Sequence, residues 1–149
     1  MIKIISVGAI KNKNLEYLIN DYLTKLKKYH PIYLLEVKDE DEKNDKSIKI
    51  ESERVKRILK EKDYVILLSL DGKEYNSLSF AKEIEKSISS YKSVVFVIGG
   101  SNGIDEKIIK PNLKISFSHL TFPHQLFRLI LLEQIYRAFK INNNERYHK

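Results

Sequence analysis

Two kinds of apolar run alternate along the chain. Lys3–Val7 (KIISV), Ile32–Val37 (IYLLEV), Tyr64–Leu70 (YVILLSL) and Ser93–Ile98 (SVVFVI) are short blocks, apolar on both alternating faces, which predicts buried strands. Leu113–Phe117 adds a last short strand. Between them the apolar positions fall at three-four spacing, as on one face of a helix: Leu15, Leu18, Ile19, Tyr22, Leu23 and Leu26, then Phe80, Ala81, Ile84 and Ile88. A more polar helix carries Ile48, Val55, Ile58 and Leu59. From His124 to about Lys140 runs a helix that is apolar on most of its circumference and therefore needs cover on several sides, from its own sheet or from a second subunit. The punctuation agrees with these boundaries. His30-Pro31 stops the first helix, Asp71-Gly72 closes the third strand, Ser79 and Asp105 are helix caps, and Pro111 ends a short helix.

Strands apolar on both faces, each followed by a helix, imply a mostly parallel sheet covered by helices on both sides. The 149 residues show no linker, repeat or low-complexity tract, so residues 1–149 are read as one α/β domain. No run approaches the length of a membrane span, and Met1–Ile10 lacks a signal-peptide cleavage site. The absence of cysteine removes disulfides, thiolate metal sites and cysteine nucleophiles. The expectation is a soluble, cytoplasmic protein without a membrane partner.

Charge adds a partner class. The formal net charge is +7, and the surplus lies at the two ends of the chain. Residues 1–37 hold six lysines against three acids, and residues 124–149 hold five Lys and Arg against two acids. A polyanion such as nucleic acid suits that distribution.

Three segments can carry chemistry. Gly99-Gly100-Ser101-Asn102-Gly103 follows the strongest strand, where open α/β sheets place ligands. It has neither a Walker A ending nor the dinucleotide spacing, and by itself it is equally a tight turn. Leu113–Gln125 (LKISFSHLTFPHQ) offers apolar walls together with hydroxyl and backbone hydrogen-bonding groups, as a small-molecule pocket requires. His119 and His124 lie within it, but no carboxylate or third ligand stands near them in sequence, so no metal is expected. The tail Asn142–Lys149 combines Arg146, Tyr147, His148 and Lys149, which suits either fraying or phosphate contact with base stacking. Glu133 and Arg137, four apart on the last helix, read as a surface ion pair.

The stretches VVFVIGGSNG (94–103) and SFSHLTFPHQLFRLILLEQIYRAFKI (116–141), the ending YHK and the start IKIISVGAIKNK resemble the ribosomal RNA large subunit methyltransferase H family of the SPOUT superfamily. The likeness covers essentially the whole chain and is least in residues 38–62. It implies a single SPOUT-type domain whose C-terminal segment is threaded into a deep trefoil knot, and a homodimer with cofactor sites near the subunit interface. It implies S-adenosylmethionine held by Leu68, Gly99 and the loop Phe117, Ser118, His119, Leu120, Thr121 and Phe122, with His119 contributing backbone. The substrate implied is a pseudouridine of large-subunit ribosomal RNA, in the assembled ribosome, methylated on the ring nitrogen between its two carbonyls. On that reading His148 is the candidate base, because its unperturbed pKa lies close to neutrality. Tyr147 and Arg128 join it as candidates for stacking, charge stabilisation and phosphate contact, and Arg146 and Lys149 for RNA binding. Two other classes use the same features: a module that binds RNA or a nucleotide without catalysis, and a nucleotide-dependent transferase placing phosphate on the Gly99–Gly103 turn.

Overall fold

The computed structural model describes all 149 residues. Five strands form one sheet in the order β2-β1-β4-β3-β5, with every pairing parallel. They are β1 (Ile2–Val7), β2 (Ile32–Val37), β3 (Tyr64–Glu74), β4 (Val94–Ile98) and β5 (Leu113–Ser116). The helices are α1 (Lys13–Leu26), α2 (Ser47–Ile58), α3 (Ser77–Ser90), α4 (Glu106–Ile109) and α5 (His124–Asn142).

In the central strands β1 and β4 the apolar runs are continuous because both faces are buried, whereas the edge strand β2 exposes Tyr33 and Glu36. In β1, Ile2 and Ile4 join the cluster beneath α1, α3 and α5, while Ile5 and Val7 join the one beneath α2 and α4. In β4, Val94, Phe96 and Ile98 divide from Val95 and Val97 in the same way. Side chains alternate across a strand, so one unbroken run feeds two separate cores.

Three sequence expectations are corrected. Asp71-Gly72 does not end β3. The strand runs on to Glu74, and its register against β5 slips on the way, so that Leu68 and Lys73 both pair with Ile115. Gly72 is required there because a Cβ would stand 2.6 Å from the Ile115 backbone. The cap of α3 is Asn76, whose side chain accepts from the Ser79 N–H, while Ser79 is its capping-box partner. In α2 the fully buried residues are Ser47, Glu51, Ser52 and Val55, with Ile58 and Leu59 packed partly buried on the same core. Finally, α5 finds its cover within the chain. It packs against α1 and α3, and Leu131, Leu132, Ile135 and Ala138 lie in the core. The apolar circumference of α5 therefore gives no argument for a second subunit. No helix is long and apolar enough to cross a membrane.

Candidate active site

The carboxyl ends of β3, β4 and β5 open into a cleft of about 800 Å³. Its walls are Leu67–Leu70, the Ile98–Ile104 turn, and the segment from Ile115 and Phe117 through Leu120–His124 to Phe127. Strand ends in a parallel sheet point their loops to one edge, which is why segments distant in sequence meet here. Phe127 anchors the aromatic floor, with its ring edge-on to Phe117 at 5.2 Å and parallel to Phe122 at 6.1 Å.

Of the residues implied for the cofactor, Leu68, Gly99, Phe117, Ser118, Leu120, Thr121 and Phe122 all line this cleft. Leu120 is 71% exposed, an apolar side chain at the mouth without cover in the free chain. His119 is the exception: its side chain turns outward to meet Glu74 at 2.7 Å, and the residue does not line the cleft. Gly99 has a different local reason from the one its position suggests. A Cβ there would lie 3.0 Å from the Gly103 carbonyl carbon, so the missing side chain lets the turn close on itself. Gly103 supports the same turn with φ +89° and a backbone bond from its N–H to the Gly100 carbonyl.

The lining contains no Lys or Arg, and its one carboxylate is Glu106, which also meets Lys114 at 3.2 Å. His124 is the other ionisable group on the wall. Its Nε2 stands over Gly8, 3.4 Å from where a Cβ would be, and an Asp39 carboxylate oxygen is at 3.5 Å from the same point. Burial, reinforced by Arg128 and Lys11, holds the His124 pKa below its ordinary value, against the pull of Asp39 and Glu42.

Arg128 does not occupy the place the sequence reading assigned to it. It is 0% exposed, and its guanidinium donates to the Val7 carbonyl at 3.1 Å, the Gly8 carbonyl at 2.6 Å and Glu36 at 3.1 Å. It ties α5 to the end of β1 and presents no atom to a phosphate.

The tail is also placed by the structure. The chain turns at Asn144 (φ +54°) and folds back along α5 instead of fraying. The Tyr147 hydroxyl donates to Glu133 at 3.0 Å and lies 3.4 Å from the Tyr22 hydroxyl, while its ring packs edge-on to Tyr136 at 5.1 Å. Arg137 reaches Glu133 at 2.6 Å, covers the Tyr147 ring at 4.9 Å and meets His148 Nδ1 at 3.2 Å. The pair Glu133–Arg137 is thus the anchor of the tail rather than an isolated surface contact. Arg146, His148 and Lys149 remain exposed beside it.

Sequence reasoning missed the wall around the glycine turn. The charged segment after β2 docks on it: Asn102 donates to the Glu42 carbonyl at 3.1 Å, and the Asp105 N–H donates to Ser52 at 2.8 Å. Glu51, buried, accepts from the Glu40 N–H at 3.0 Å, and its other oxygen lies where a Gly100 side chain would be. The signal was present as Ser47, Glu51 and Val55 at four-residue spacing, but polar residues on a buried helix face carry no hydrophobic period. No group of three or more His, Asp or Glu side chains gathers to hold a metal ion.

A parallel sheet with a ligand-sized cleft at its carboxyl edge is the arrangement of a ligand-binding α/β protein, and the comparisons make the class specific. The family model described as "Predicted SPOUT methyltransferase" matches residues 1–148. The ribosomal RNA large subunit methyltransferase H of Malacoplasma penetrans is 46% identical to this chain, covering 99% of each. Those of Caldicellulosiruptor saccharolyticus and Enterococcus faecalis are each 41% identical, over 100% and 99% of both chains. The chain belongs to the ribosomal RNA large subunit methyltransferase H family of SPOUT methyltransferases.

Proposed function

We propose that this protein transfers the methyl group of S-adenosylmethionine to the ring nitrogen between the two carbonyls of a pseudouridine in large-subunit (23S) ribosomal RNA, acting on the assembled ribosome in the cytoplasm. The observation that carries the cofactor assignment is the cleft lining, which combines apolar walls, loop amides and carbonyls, and Glu106 as its only carboxylate, with no Lys or Arg. A sulfonium and an ammonium are cations, whereas a nucleoside triphosphate needs fixed cations or a Lys-bearing phosphate loop. That difference favours S-adenosylmethionine over the nucleotide-dependent reading.

When bound, the cofactor supplies an electrophilic methyl group. Leu68, Leu120 and Phe122 would pack on the adenine, and the backbone of 117–122 would read its polar edge. Gly99 and Gly103 shape the turn that faces the methionine portion. Holding the acceptor in line with the methyl group supplies most of the acceleration.

The substrate side comes from the tail, and its placement supports a homodimer. His124 belongs to the cleft and Arg137 to the tail anchor. At 1.5 Å rise per residue, α5 separates them by about 20 Å. A second copy would bring its own Arg146, Tyr147, His148 and Lys149 to this cleft. The packing of α5 against both α1 and α3 is compatible with the family's knotted threading of the segment after β5.

The test has two arms. Calorimetry of the pure protein with S-adenosylmethionine should give one site per chain, competed by S-adenosylhomocysteine and not by ATP. Mass spectrometry of ribosomal RNA nucleosides should show one methylated pseudouridine after incubation with ribosomes. Competition by ATP, or cofactor binding without any methylated nucleoside, would overturn the reading.

A further inference from the structure

The tail brings a histidine to the substrate side, and the side chain that holds it decides what that histidine can do. Arg137 Nη1 lies 3.2 Å from His148 Nδ1. A guanidinium has five N–H donors and no lone pair, so the imidazole nitrogen must be the acceptor. A neutral imidazole carries one proton. With Nδ1 accepting, that proton is on Nε2.

Arg137 has little freedom to turn away. Its Nε and Nη2 donate to one Glu133 oxygen at 3.1 and 2.6 Å, and its plane lies on the Tyr147 ring at 4.9 Å. The other Glu133 oxygen accepts from Gln134 at 2.7 Å, so the carboxylate is itself fixed. The remaining edge of the guanidinium is the one that meets His148. The neighbouring carboxylates are already engaged, Glu133 by Arg137, Gln134 and Tyr147, and Glu145 by Lys140 and Tyr29. Burial and then the Tyr22 and Glu133 contacts push the Tyr147 phenol pKa well up, and Arg146 and Lys149 are donors.

We propose that Arg137 is a positioning residue that holds His148 as its Nε2–H tautomer, so that His148 meets the target base as a hydrogen-bond donor and not as the proton acceptor. The inference rests on the methyltransferase reading above. In the transfer, the nitrogen–methyl bond forms as the carbon–sulfur bond breaks, and the electron pair stays on sulfur as a neutral thioether. The proton on the accepting nitrogen leaves to water. Negative charge that develops as it leaves spreads to the two flanking carbonyl oxygens, and an Nε2–H aimed at one of them stabilises it.

Two measurements test this on the intact protein. Nitrogen-15 histidine NMR at neutral to mildly alkaline pH, with the signals assigned by their loss in His148→Gln, reads the tautomer directly. Nδ1 should be of the unprotonated type and Nε2 of the protonated type, Arg137→Leu should average the two, and Arg137→Lys should restore part of the bias. Single-turnover methylation of ribosomes reads the role. A Gln amide nitrogen can take the place of Nε2–H, so His148→Gln should stay within about tenfold of the native rate, while His148→Ala falls about a hundredfold or more. Unchanged S-adenosylmethionine affinity keeps both variants comparable. A protonated Nδ1 in the native protein, a tautomer indifferent to Arg137→Leu, or equal losses in His148→Gln and His148→Ala would overturn the proposal. Failure of the native protein to methylate ribosomes would overturn the functional reading instead, and the NMR result would still decide the tautomer.

Discussion

The cleft and the tail are built on opposite plans. The cleft is backbone and apolar surface, with few ionisable side chains and turns whose shape depends on glycine. The tail is side chain on side chain: Glu133, Arg137, Tyr22, Tyr136 and Tyr147 fix one another, and the exposed Arg146, His148 and Lys149 stand beside them. A site for one constant small molecule is well served by rigid strand ends, since nothing there has to be oriented anew. A segment that meets a bulky polyanion needs exposed, polar groups, and an anchor to keep them from fraying.

Deleting Tyr147–Lys149 should break the comparison most sharply. Methyl transfer is expected to fall by about a hundredfold or more, because positioning and the polar contacts to the base are both lost. Calorimetry should still find nearly native S-adenosylmethionine affinity. Loss of cofactor binding in that protein would place the tail in the cofactor site and erase the distinction.

A second test acts on the framework behind the cleft. Arg128→Met removes the donors to Val7, Gly8 and Glu36 and leaves buried carbonyls unpaired. The expected cost is about 2 kcal/mol or more, seen as a fall in Tm of roughly 5–10 °C. An unchanged Tm would mean that α5 is fastened to β1 by packing alone.

Gly99→Ala should cost less. The added methyl meets the Gly103 backbone, so the turn must open, weakening cofactor affinity by about tenfold and stability by about 1 kcal/mol. Loss of affinity without any loss of stability would show that the cofactor, and not the turn, occupies the space.

The smallest effect is on pH. Burial holds His30 and His124 below the ordinary histidine value of 6.5. The unfolded chain then binds protons at a higher pH than the folded one, so their contribution to stability is present above about 6.5 and lost as the pH falls below it. The Tm should decline on acidification through that window, and His124→Gln should flatten the decline. A decline of unchanged steepness in His124→Gln would remove His124 from this account.

Much of this molecule is legible in its sequence. The strand blocks, the positions of α1, α3 and α5, the Asp105 cap and the glycine turn after β4 follow from hydrophobic period and turn chemistry, because each depends on neighbours in sequence. The loop 117–122 was marked by its odd composition for a connector, and the family resemblance named its members. Less legible were contacts between polar groups far apart in sequence. Arg128 stands on the resemblance as a candidate for phosphate contact and charge stabilisation, yet it is satisfied by carbonyls at the end of β1. Glu51 and Ser52 carry no motif and still shape the glycine turn.

The class of fold, the family and the inventory of groups available for chemistry are written in the residues, since apolar period, turn residues and motif are local properties of the chain. Their use is set by the folded arrangement. Whether Arg128 faces solvent or the core, whether Glu133 and Arg137 form a plain ion pair or an anchor, and which nitrogen of His148 is engaged depend on what is opposite each group. Hydrogen-bond partners are set by direction and distance between segments that only folding brings together.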